Sequence, residues 1–215
     1  WVCLKDGADP NQRQTEVTRR TWAIQVGVPP NQNWWHKSAV SEASRSAYIR
    51  ISGFRVRHVA TFSRQAAISV RGLCHDIVIE NCDVQWSNSI GIEASSLHTW
   101  SPVEQQWIYC PVENVTVRHC VASRCGVQGI GGGGPHHFLV ESNIMDDNNY
   151  RDVSPWSEGG ACKTGFDGRG IVVRNNVARN NNNHGLWFDY AGEDGVFENN
   201  FVYNSVAGAI LNEVT

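Results

Sequence analysis

The sequence predicts an all-β solenoid, a parallel β-helix of about six coils with two loop insertions. A short motif recurs six times, as ISGF, IENC, VRHC, VESN, VRNN and FENN from residues 51, 79, 117, 140, 173 and 197. A second block follows each copy, as AAISV, GIEAS, GIGGG, ACKTG, GLWFD and AILNE from residues 66, 91, 129, 161, 185 and 209. Alternation within the blocks predicts short strands with one buried face. The closest two starts, 117 and 140, are 23 residues apart, which fits one solenoid coil.

The composition agrees with this fold and excludes two classes of function. A chain of 215 residues can form one domain with a sizeable core. Twenty glycines and a single methionine suit many short strands joined by turns. The net charge of −3 offers no positive field for nucleic acid. No apolar run approaches the twenty residues of a membrane span.

The start of the chain differs from the repeats. Residues 1–47 contain DGADP, a strand candidate in TWAIQVGV, and PPNQNWW. We predict that residues 1–47 lead into the first coil, with Trp34 and Trp35 covering its open end, and that residues 48–215 form the repeats. Because the repeats run to the last residue, we expect a segment of a longer chain, with further coils or another chain beyond it.

Repeat alignment explains several cysteines and asparagines without chemistry. Cys82 and Cys120 occupy equivalent positions in adjacent coils, where later coils carry asparagine, so we expect stacked side chains inside the coil. A structural ladder at the bends is the favoured role of five asparagines. They are Asn143, Asn175, Asn176, Asn199 and Asn200. Cys74 and Cys110 allow a disulfide in an oxidising compartment, although sequence does not settle connectivity. No cysteine spacing indicates structural zinc.

The second blocks can be stacked to predict which side chains point outward, because strand side chains alternate. The expected inward row is Ile68, Ile92, Ile130, Cys162, Leu186 and Ile210. The next residue of each block gives an outward row of Ser69, Glu93, Gly131, Lys163, Trp187 and Leu211. A second outward row, two residues further on, is Arg71, Ser95, Gly133, Gly165, Asp189 and Glu213. Coils stack about 4.8 Å apart, so neighbours in a row nearly touch.

The outward rows predict a trough. Gly131 to Gly134 remove the side chains of the third coil between Glu93 and Lys163, although these glycines are equally compatible with a plain turn. Two insertions, at about residues 96–110 and 146–159, are expected to rise from one edge of the same face. Other polar and aromatic residues should converge there, namely His98, Trp100, His136, His137, Trp156, Glu158 and His184.

A trough with an exposed tryptophan and carboxylates suits a polysaccharide or oligosaccharide, because aromatic faces stack on sugar rings and carboxylates bond to hydroxyls. Trp187 is the expected stacking platform, with burial under an insertion as the alternative. The residues we expect to bind substrate are Trp187, Glu93, His98, His136, His137, Trp156, Gly131 and Gly132.

Paired carboxyl groups suggest hydrolysis. Asp189 and Glu213 are equivalent in adjacent coils, and two close carboxyls raise the pKa of one of them. Retaining glycosidases hold their carboxyls about 5–5.5 Å apart and inverting ones about 6.5–9.5 Å. Direct stacking fits the first spacing, and pairing Asp189 with Glu158 or Glu93 fits the second. A solvated surface pair, or a set of calcium ligands, is an equally open interpretation.

Lys163 suggests a different reaction. Polysaccharide lyases remove a proton next to a uronate carboxyl, with a Lys, His or Tyr as base. Lys163 with His136 or His184 fits that role, and an ion pair of Lys163 with Glu158 or Asp189 is the structural alternative. The sequence indicates no certain cofactor, and calcium stays open.

Several stretches resemble a known family: DGADP, ISGF, IENC, GIGGGG, SEGGACK, NNNHGLWFD and GAILNE. Together they make nearly the whole chain similar to the secreted right-handed parallel β-helix proteins of the pectate-lyase-like superfamily, in particular bacterial members that degrade carbohydrates. An extra residue before Lys163 departs from the family's pattern and puts the orientation of that lysine in doubt. The resemblance implies a secreted or periplasmic protein that acts on glycans. It also implies a site lined by Glu158, Lys163, His184, Trp187, Asp189 and Glu213.

Three functions follow as hypotheses, because this fold supports many activities. The first is a glycoside hydrolase that uses two carboxylates among Glu158, Asp189 and Glu213, with His184 and Lys163 positioning the substrate. The second is a polysaccharide lyase that uses Lys163 or a histidine. The third is a non-catalytic glycan-binding or structural coil, such as a fibre or adhesin segment. The few basic residues expected near the trough favour hydrolysis over elimination.

Overall fold

The computed structural model describes residues 20–27, 45–101, 105–154, 157–190 and 192–213, and every regular element in them is a strand. The strands begin with β1 (Ile24–Gly27), β2 (Ser46–Ser52), β3 (Arg55–Arg57), β4 (Ala66–Arg71), β5 (Cys74–Glu80), β6 (Asp83–Gln85) and β7 (Ile90–Ser95). Next come β8 (Leu97–Ser101), β9 (Gln106–Cys110), β10 (Val112–Arg118), β11 (Val121–Ser123), β12 (Gln128–Gly133), β13 (His136–Glu141) and β14 (Ile144–Asp146). The last are β15 (Gly160–Gly165), β16 (Val172–Arg174), β17 (Val177–Arg179), β18 (His184–Phe188), β19 (Val196–Glu198), β20 (Phe201–Tyr203) and β21 (Gly208–Asn212).

These strands form a parallel β-helix of six coils, as the sequence predicts. Each coil contributes one strand to each of three sheets, so that β5, β6 and β7 form one coil and β10, β11 and β12 the next. The first sheet has the order β1-β4-β7-β12-β15-β18-β21, and all its pairs are parallel. The second and third sheets have six parallel strands each. Strand β1, within the predicted strand of TWAIQVGV, pairs with β4.

The register of the first sheet confirms the predicted rows. Ile68 pairs with Ile92, and the inward row continues through Ile130, Cys162 and Leu186 to Ile210. Ser69 pairs with Glu93, and this outward row continues through Gly131, Lys163 and Trp187 to Leu211. Side chains that are far apart in the sequence therefore lie one strand spacing apart on the surface.

The first motif marks the bend between the second and third sheets. Its third residue has a left-handed backbone in all six coils. The φ angles are 77° at Gly53, 51° at Asn81, 52° at His119, 55° at Ser142, 56° at Asn175 and 51° at Asn199. The recurring turn explains why the motif favours glycine and asparagine at this position, since both tolerate this conformation.

Buried asparagines connect the coils at the same bend, which confirms the predicted ladder for Asn143, Asn176 and Asn200, whereas Asn175 and Asn199 are exposed at the left-handed position. The Oδ1 of Asn176 accepts hydrogen bonds from the backbone N of Asn143 at 2.9 Å and from its Nδ2 at 3.1 Å. Asn176 in turn donates through its Nδ2 to Asn200 Oδ1 at 3.0 Å and to Val140 O at 2.9 Å. These bonds repeat from coil to coil and fix the stacking register.

A second asparagine ladder was not predicted from the sequence. Asn148 Nδ2 donates to Asn181 Oδ1 at 3.0 Å, and Asn148 Oδ1 accepts from the backbone N of Cys125. It lies at the bend between the third and first sheets, so two of the bends of the coil carry buried amides. The ladder residue Asn181 is hard to identify from the sequence, because it stands within the NNNN run at 180–183 and only one residue of the run belongs to the ladder.

The interior of the coil is apolar and contains the predicted cysteine stack. Valine, isoleucine and alanine side chains fill it, and the larger Phe138 is fully buried. Cys82 and Cys120 are buried, and their thiols donate to the backbone oxygens of Glu80 and Arg118, two residues earlier in each case. Cys74 is a free thiol whose Sγ donates to Gly72 O at 3.1 Å, so it does not form the disulfide with Cys110 that the sequence allowed.

The two insertions lie at opposite edges of the first sheet, and the expectation of a single edge was wrong. The first insertion follows β7 and forms an antiparallel hairpin of β8 and β9 at the carboxyl ends of the strands. The second insertion precedes β15 and therefore begins at the amino ends. Because parallel strands all run in one direction, an insertion after a strand and one before a strand cannot share an edge.

We predict that Asn176→Ala destabilises the fold by about 2–3 kcal/mol, because it leaves buried backbone and amide groups of two neighbouring coils without partners. The matched control is Asn212→Ala on exposed β21, which should stay within about 0.5 kcal/mol of the parent. Urea unfolding measures both. Equal stability of the two variants would show that the ladder does not hold the coils together.

Candidate functional site

The outer face of the first sheet carries a cavity of about 430 Å³ between the two insertions. Its lining consists of Arg64, Ile90, Glu93, Ser95, Ser96, Leu97, His98, Tyr109, Gln128, Gly132, Gly133, Gly134, Glu158, Lys163, Thr164, Gly165, Phe166 and Asp189. The site therefore spans coils one to five, across the glycines of the third coil where the sequence predicts a trough. A concave, mostly apolar cavity with a few convergent polar groups is typical of a small-molecule or oligosaccharide site.

The hairpin forms the wall at the carboxyl edge. Tyr109 Oη and Ser96 Oγ both donate to the backbone oxygen of Gly134, at 2.5 Å each, which ties the hairpin to the third coil. The ring of His98 lies 5.1 Å from that of Tyr109, and both residues line the cavity. Burial raises the pKa of Tyr109, so its hydroxyl stays protonated and can donate a hydrogen bond.

The second insertion forms the wall at the amino edge. The carboxylate of Glu158 pairs with Arg64 at 2.8 Å. Gln128 Nε2 donates to the backbone oxygen of Glu158 at 2.5 Å, and the Gln128 side chain lies across Gly131. A Cβ on Gly131 would be 2.1 Å from Gln128 Oε1, so glycine makes room for this glutamine rather than for a ligand. Gly131 is absent from the cavity lining, whereas Gly132 belongs to it.

Glu93 lies on the floor of the cavity and is almost fully buried, with 1% of its surface exposed. Ser69 Oγ donates to Glu93 Oε1 at 2.6 Å, Arg71 pairs with the same oxygen at 3.3 Å, and Ser95 Oγ donates to Oε2 at 3.4 Å. A buried carboxylate with a paired cation and two hydroxyl donors is well compensated. Glu93 is therefore fixed in place on the floor.

Lys163 lies at the centre of the site. Its Nζ donates to Ser157 O at 2.6 Å, pairs with Asp189 Oδ2 at 3.0 Å, and lies 3.7 Å from the centroid of the Trp187 ring. The lysine stands between Gly131 and Trp187 in the outward row, so the extra residue before it does not turn it inward. The hydrogen bond to Ser157 also holds the second insertion against the sheet.

Trp187 is not an exposed stacking platform, and that expectation was wrong. Only 2% of its surface is exposed, because Lys163 covers its ring and the ring of His184 packs against it at 5.1 Å. Its Nε1 donates to Glu213 Oε2 at 3.1 Å. Trp187 therefore supports Lys163 and Glu213 instead of touching a ligand directly.

Asp189 and Glu213 form the predicted carboxyl pair. Burial opposes ionisation of Asp189, but the backbone amide of Tyr190 and the ammonium of Lys163 outweigh it and lower the pKa of Asp189. A hydrogen bond with Asp189 raises the pKa of Glu213. The two pKa values are therefore shifted in opposite directions, which favours the ionised form of Asp189 and the protonated form of Glu213. Asp189 lines the cavity, and Glu213 lies just beyond it on the exposed last coil.

The histidines do not converge as expected, apart from His98. His184 is buried against Trp187, and His136 packs beside Tyr109 with its Nδ1 3.8 Å from Glu113 Oε1. His137 is exposed near the start of β13, with φ 52°. None of these three lines the cavity. Trp156 and the side chain of Trp100 lie outside the described residues.

Sequence reasoning missed four lining residues that matter, Arg64, Tyr109, Gln128 and Phe166. Arg64 and Gln128 stand at or before the amino ends of strands, outside the stacked blocks. Tyr109 lies in an insertion whose course the sequence does not give. Within the ranges that the structure describes, no group of three or more His, Cys, Asp or Glu side chains is arranged to hold a metal ion.

The family of the chain follows from its match to a sequence model. The model of the right-handed β-helix region matches residues 38–214. The chain belongs to this family. No curated protein and no solved structure shows significant similarity to this β-helix protein. Its described residues contain no helix that is long and apolar enough to cross a membrane.

We predict that alanine destabilises the fold at one of two neighbouring glycines of the cavity and is tolerated at the other. A Cβ on Gly132 would lie 1.8 Å from Ala94 O, so Gly132→Ala must shift backbone and should cost roughly 1–3 kcal/mol. A Cβ on Gly133 meets only Phe166 Cβ at 3.9 Å, so Gly133→Ala should be within about 0.5 kcal/mol of the parent. Urea unfolding of both variants checks this, and equal losses would contradict the described floor.

Proposed function

We propose that this β-helix protein is a glycan-cleaving enzyme, and specifically a glycoside hydrolase that acts where the cavity meets Asp189. The observation that carries the proposal is the pair of Asp189 and Glu213, in which one pKa is lowered and the other raised. Hydrolysis of a glycosidic bond needs such a division into a carboxylate and an acid. The resemblance to secreted carbohydrate-degrading proteins supports it, and an extracellular or periplasmic location belongs to the same proposal.

In this mechanism the acid is Glu213. It donates its proton to the glycosidic oxygen as the carbon–oxygen bond breaks, so the leaving sugar departs as an alcohol. The Asp189 carboxylate, kept ionised by Lys163, attacks or stabilises the positive anomeric carbon. Water then adds to that carbon and returns a proton to Glu213. Asp189 and Glu213 follow the paired residues Phe188 and Asn212 of adjacent coils, which stack about 4.8 Å apart, and this favours the short spacing of retaining enzymes.

Glu158 has a different place in the site from the one that an inverting mechanism requires. Its carboxylate pairs with Arg64 at the amino edge of the cavity, whereas Asp189 stands at the carboxyl edge. We assign Glu158, with His98 and Tyr109, to binding of sugar hydroxyls. Glu93 supports the floor between them.

Elimination by Lys163 is the less favoured reaction. A base must accept a proton, but Lys163 already donates to Ser157 O and pairs with Asp189, and its ammonium lies over the Trp187 ring. All three contacts engage Nζ as a donor or as a cation, so it is not placed to take a proton from a substrate. A lyase activity would also release products with ultraviolet absorbance, which separates it from hydrolysis in one assay.

We predict that Asp189→Asn and Glu213→Gln each lower the rate of reducing-end release at least about a hundredfold, because each removes one of the two groups that transfer charge or protons. The assay screens neutral and uronate-containing polysaccharides with and without calcium, and follows reducing ends and ultraviolet absorbance together. In the parent, activity should fall at low pH as Asp189 becomes protonated, below the usual aspartate range. It should also fall at higher pH as Glu213 ionises, above the usual glutamate range.

The matched control for these variants is Glu198→Gln, an exposed acid of β19 in another sheet, which should retain full activity. If the Asp189→Asn variant still released products that absorb in the ultraviolet, the reaction would be elimination and not hydrolysis. Binding without any product would indicate a glycan-binding coil.

A further inference from the structure

We infer that the ligand of this site is a neutral glycan whose rings stack on Phe166 and Tyr190 at the carboxyl edge of the first sheet. This inference rests on the proposed function and names the substrate class of the same site. Neither aromatic residue was expected to bind substrate from the sequence. They take over the stacking role that the buried Trp187 cannot perform.

Phe166 and Tyr190 occupy equivalent positions in adjacent coils. Each follows a strand of the first sheet by one or two residues, and the backbone N of Phe166 donates to Tyr190 O at 2.9 Å. Their ring centroids are 6.4 Å apart with an angle of 57° between the planes, so neither ring covers the other. Phe166 is 62% exposed and Tyr190 is 57% exposed.

The position of these rings connects them to the reacting groups. Phe166 lines the cavity, and Tyr190 directly follows Asp189, whose carboxylate accepts a hydrogen bond from the Tyr190 backbone N at 2.8 Å. A sugar chain that leaves the cavity along the coil axis would pass Phe166 and then Tyr190, one coil spacing of about 4.8 Å further on. A glycosidic bond between the two contacts would lie beside Asp189.

The backbone of Phe166 turns directly after β15 and places the side chain at the rim of the cavity. Phe166 has φ 61° and Asp167 has φ 66°, which is a left-handed conformation in two successive non-glycine residues. Such a conformation costs on the order of 1–3 kcal/mol for each residue, and for a bulky aromatic it is uncommon. A large apolar side chain is thus kept in solvent at the rim of the cavity at a cost in stability.

Another exposed aromatic group shows why exposure alone is insufficient. Trp86 is 40% exposed, but His58 stacks on it with an interplanar angle of 10°, and the Arg124 guanidinium lies 5.4 Å from its ring centroid. Protein groups therefore occupy the faces that a sugar would need. The open rings of Phe166 and Tyr190 differ in this respect.

Charge within the cavity favours a neutral ligand over a uronate. Three carboxylates line the described cavity, on Glu93, Glu158 and Asp189, and Arg71 already neutralises the first of them from outside the lining. Arg64 pairs with Glu158 and Lys163 pairs with Asp189, so both cations are already engaged. A uronate carboxylate would need to displace one of these pairs and face the carboxylate released, which is unfavourable at short range. Sugar hydroxyls can instead donate to the same carboxylates.

Affinity electrophoresis at low temperature tests this inference. The gels contain soluble neutral polysaccharides, namely xyloglucan, glucomannan or arabinan, or else polygalacturonate. We expect retardation of the parent protein by a neutral polysaccharide and none by polygalacturonate. Phe166→Ala and Tyr190→Ala should each weaken binding roughly tenfold, and Tyr190→Phe should restore it, because the ring carries the contact. Tyr48→Ala, which removes an 82% exposed ring on the second sheet, is the control and should bind like the parent.

The outcomes separate this inference from the proposed function. Binding of a neutral polysaccharide that depends on Phe166 and Tyr190, without release of reducing ends, supports the inference and contradicts the hydrolase. Hydrolysis of a uronate polysaccharide contradicts the inference and supports the hydrolase. Binding of no polysaccharide, or binding of a neutral one that both alanine variants retain, overturns the inference.

Discussion

The stacking register of the coils is the constraint on which the rest of the structure depends. Each coil has to lie one strand spacing, about 4.8 Å, from the next, with the same side of each strand facing inward. Buried amides at two bends, such as Asn176 and Asn148, fix this register by bonding to the backbone of the neighbouring coil. A slip by one residue would leave these amides without partners and would turn the outward row inward. The arrangement of the site therefore depends on the two asparagine ladders.

Given the register, the chemistry of the outer face follows from contacts between adjacent coils. Lys163 and Trp187 stand side by side in one row, and Asp189 and Glu213 in the next. The buried ring of Trp187 holds the ammonium of Lys163 from below and binds Glu213 through its indole nitrogen. This arrangement shifts the pKa values of two neighbouring carboxyls in opposite directions, which neither position would show alone. The hairpin and the second insertion then cover the face and enclose a cavity next to the pair.

The fold and the rows of the site could be predicted from the sequence because both depend on local periodicity. The motif positions at Asn81 and Asn175 and the alignment of Asp189 with Glu213 needed only strand alternation and a constant coil spacing. The groups that cover an outward side chain could not be predicted in this way, since alternation gives the direction of Trp187 but not what lies over it. The edge from which each insertion rises depends on strand direction, and side-chain alternation is the same in both directions. The exposure of Phe166 results from a left-handed backbone that its sequence does not indicate.

The proposed chemistry depends on contact between Asp189 and Glu213 that lowers the pKa of Asp189 and raises the pKa of Glu213. Carboxyl carbon resonances of the folded parent protein, assigned with the Asp189→Asn and Glu213→Gln variants and followed as a function of pH, measure this most directly. The account predicts that Asp189 titrates below the usual aspartate range, that Glu213 titrates above the usual glutamate range, and that each curve responds to the other group. Two independent titrations at ordinary values would contradict it.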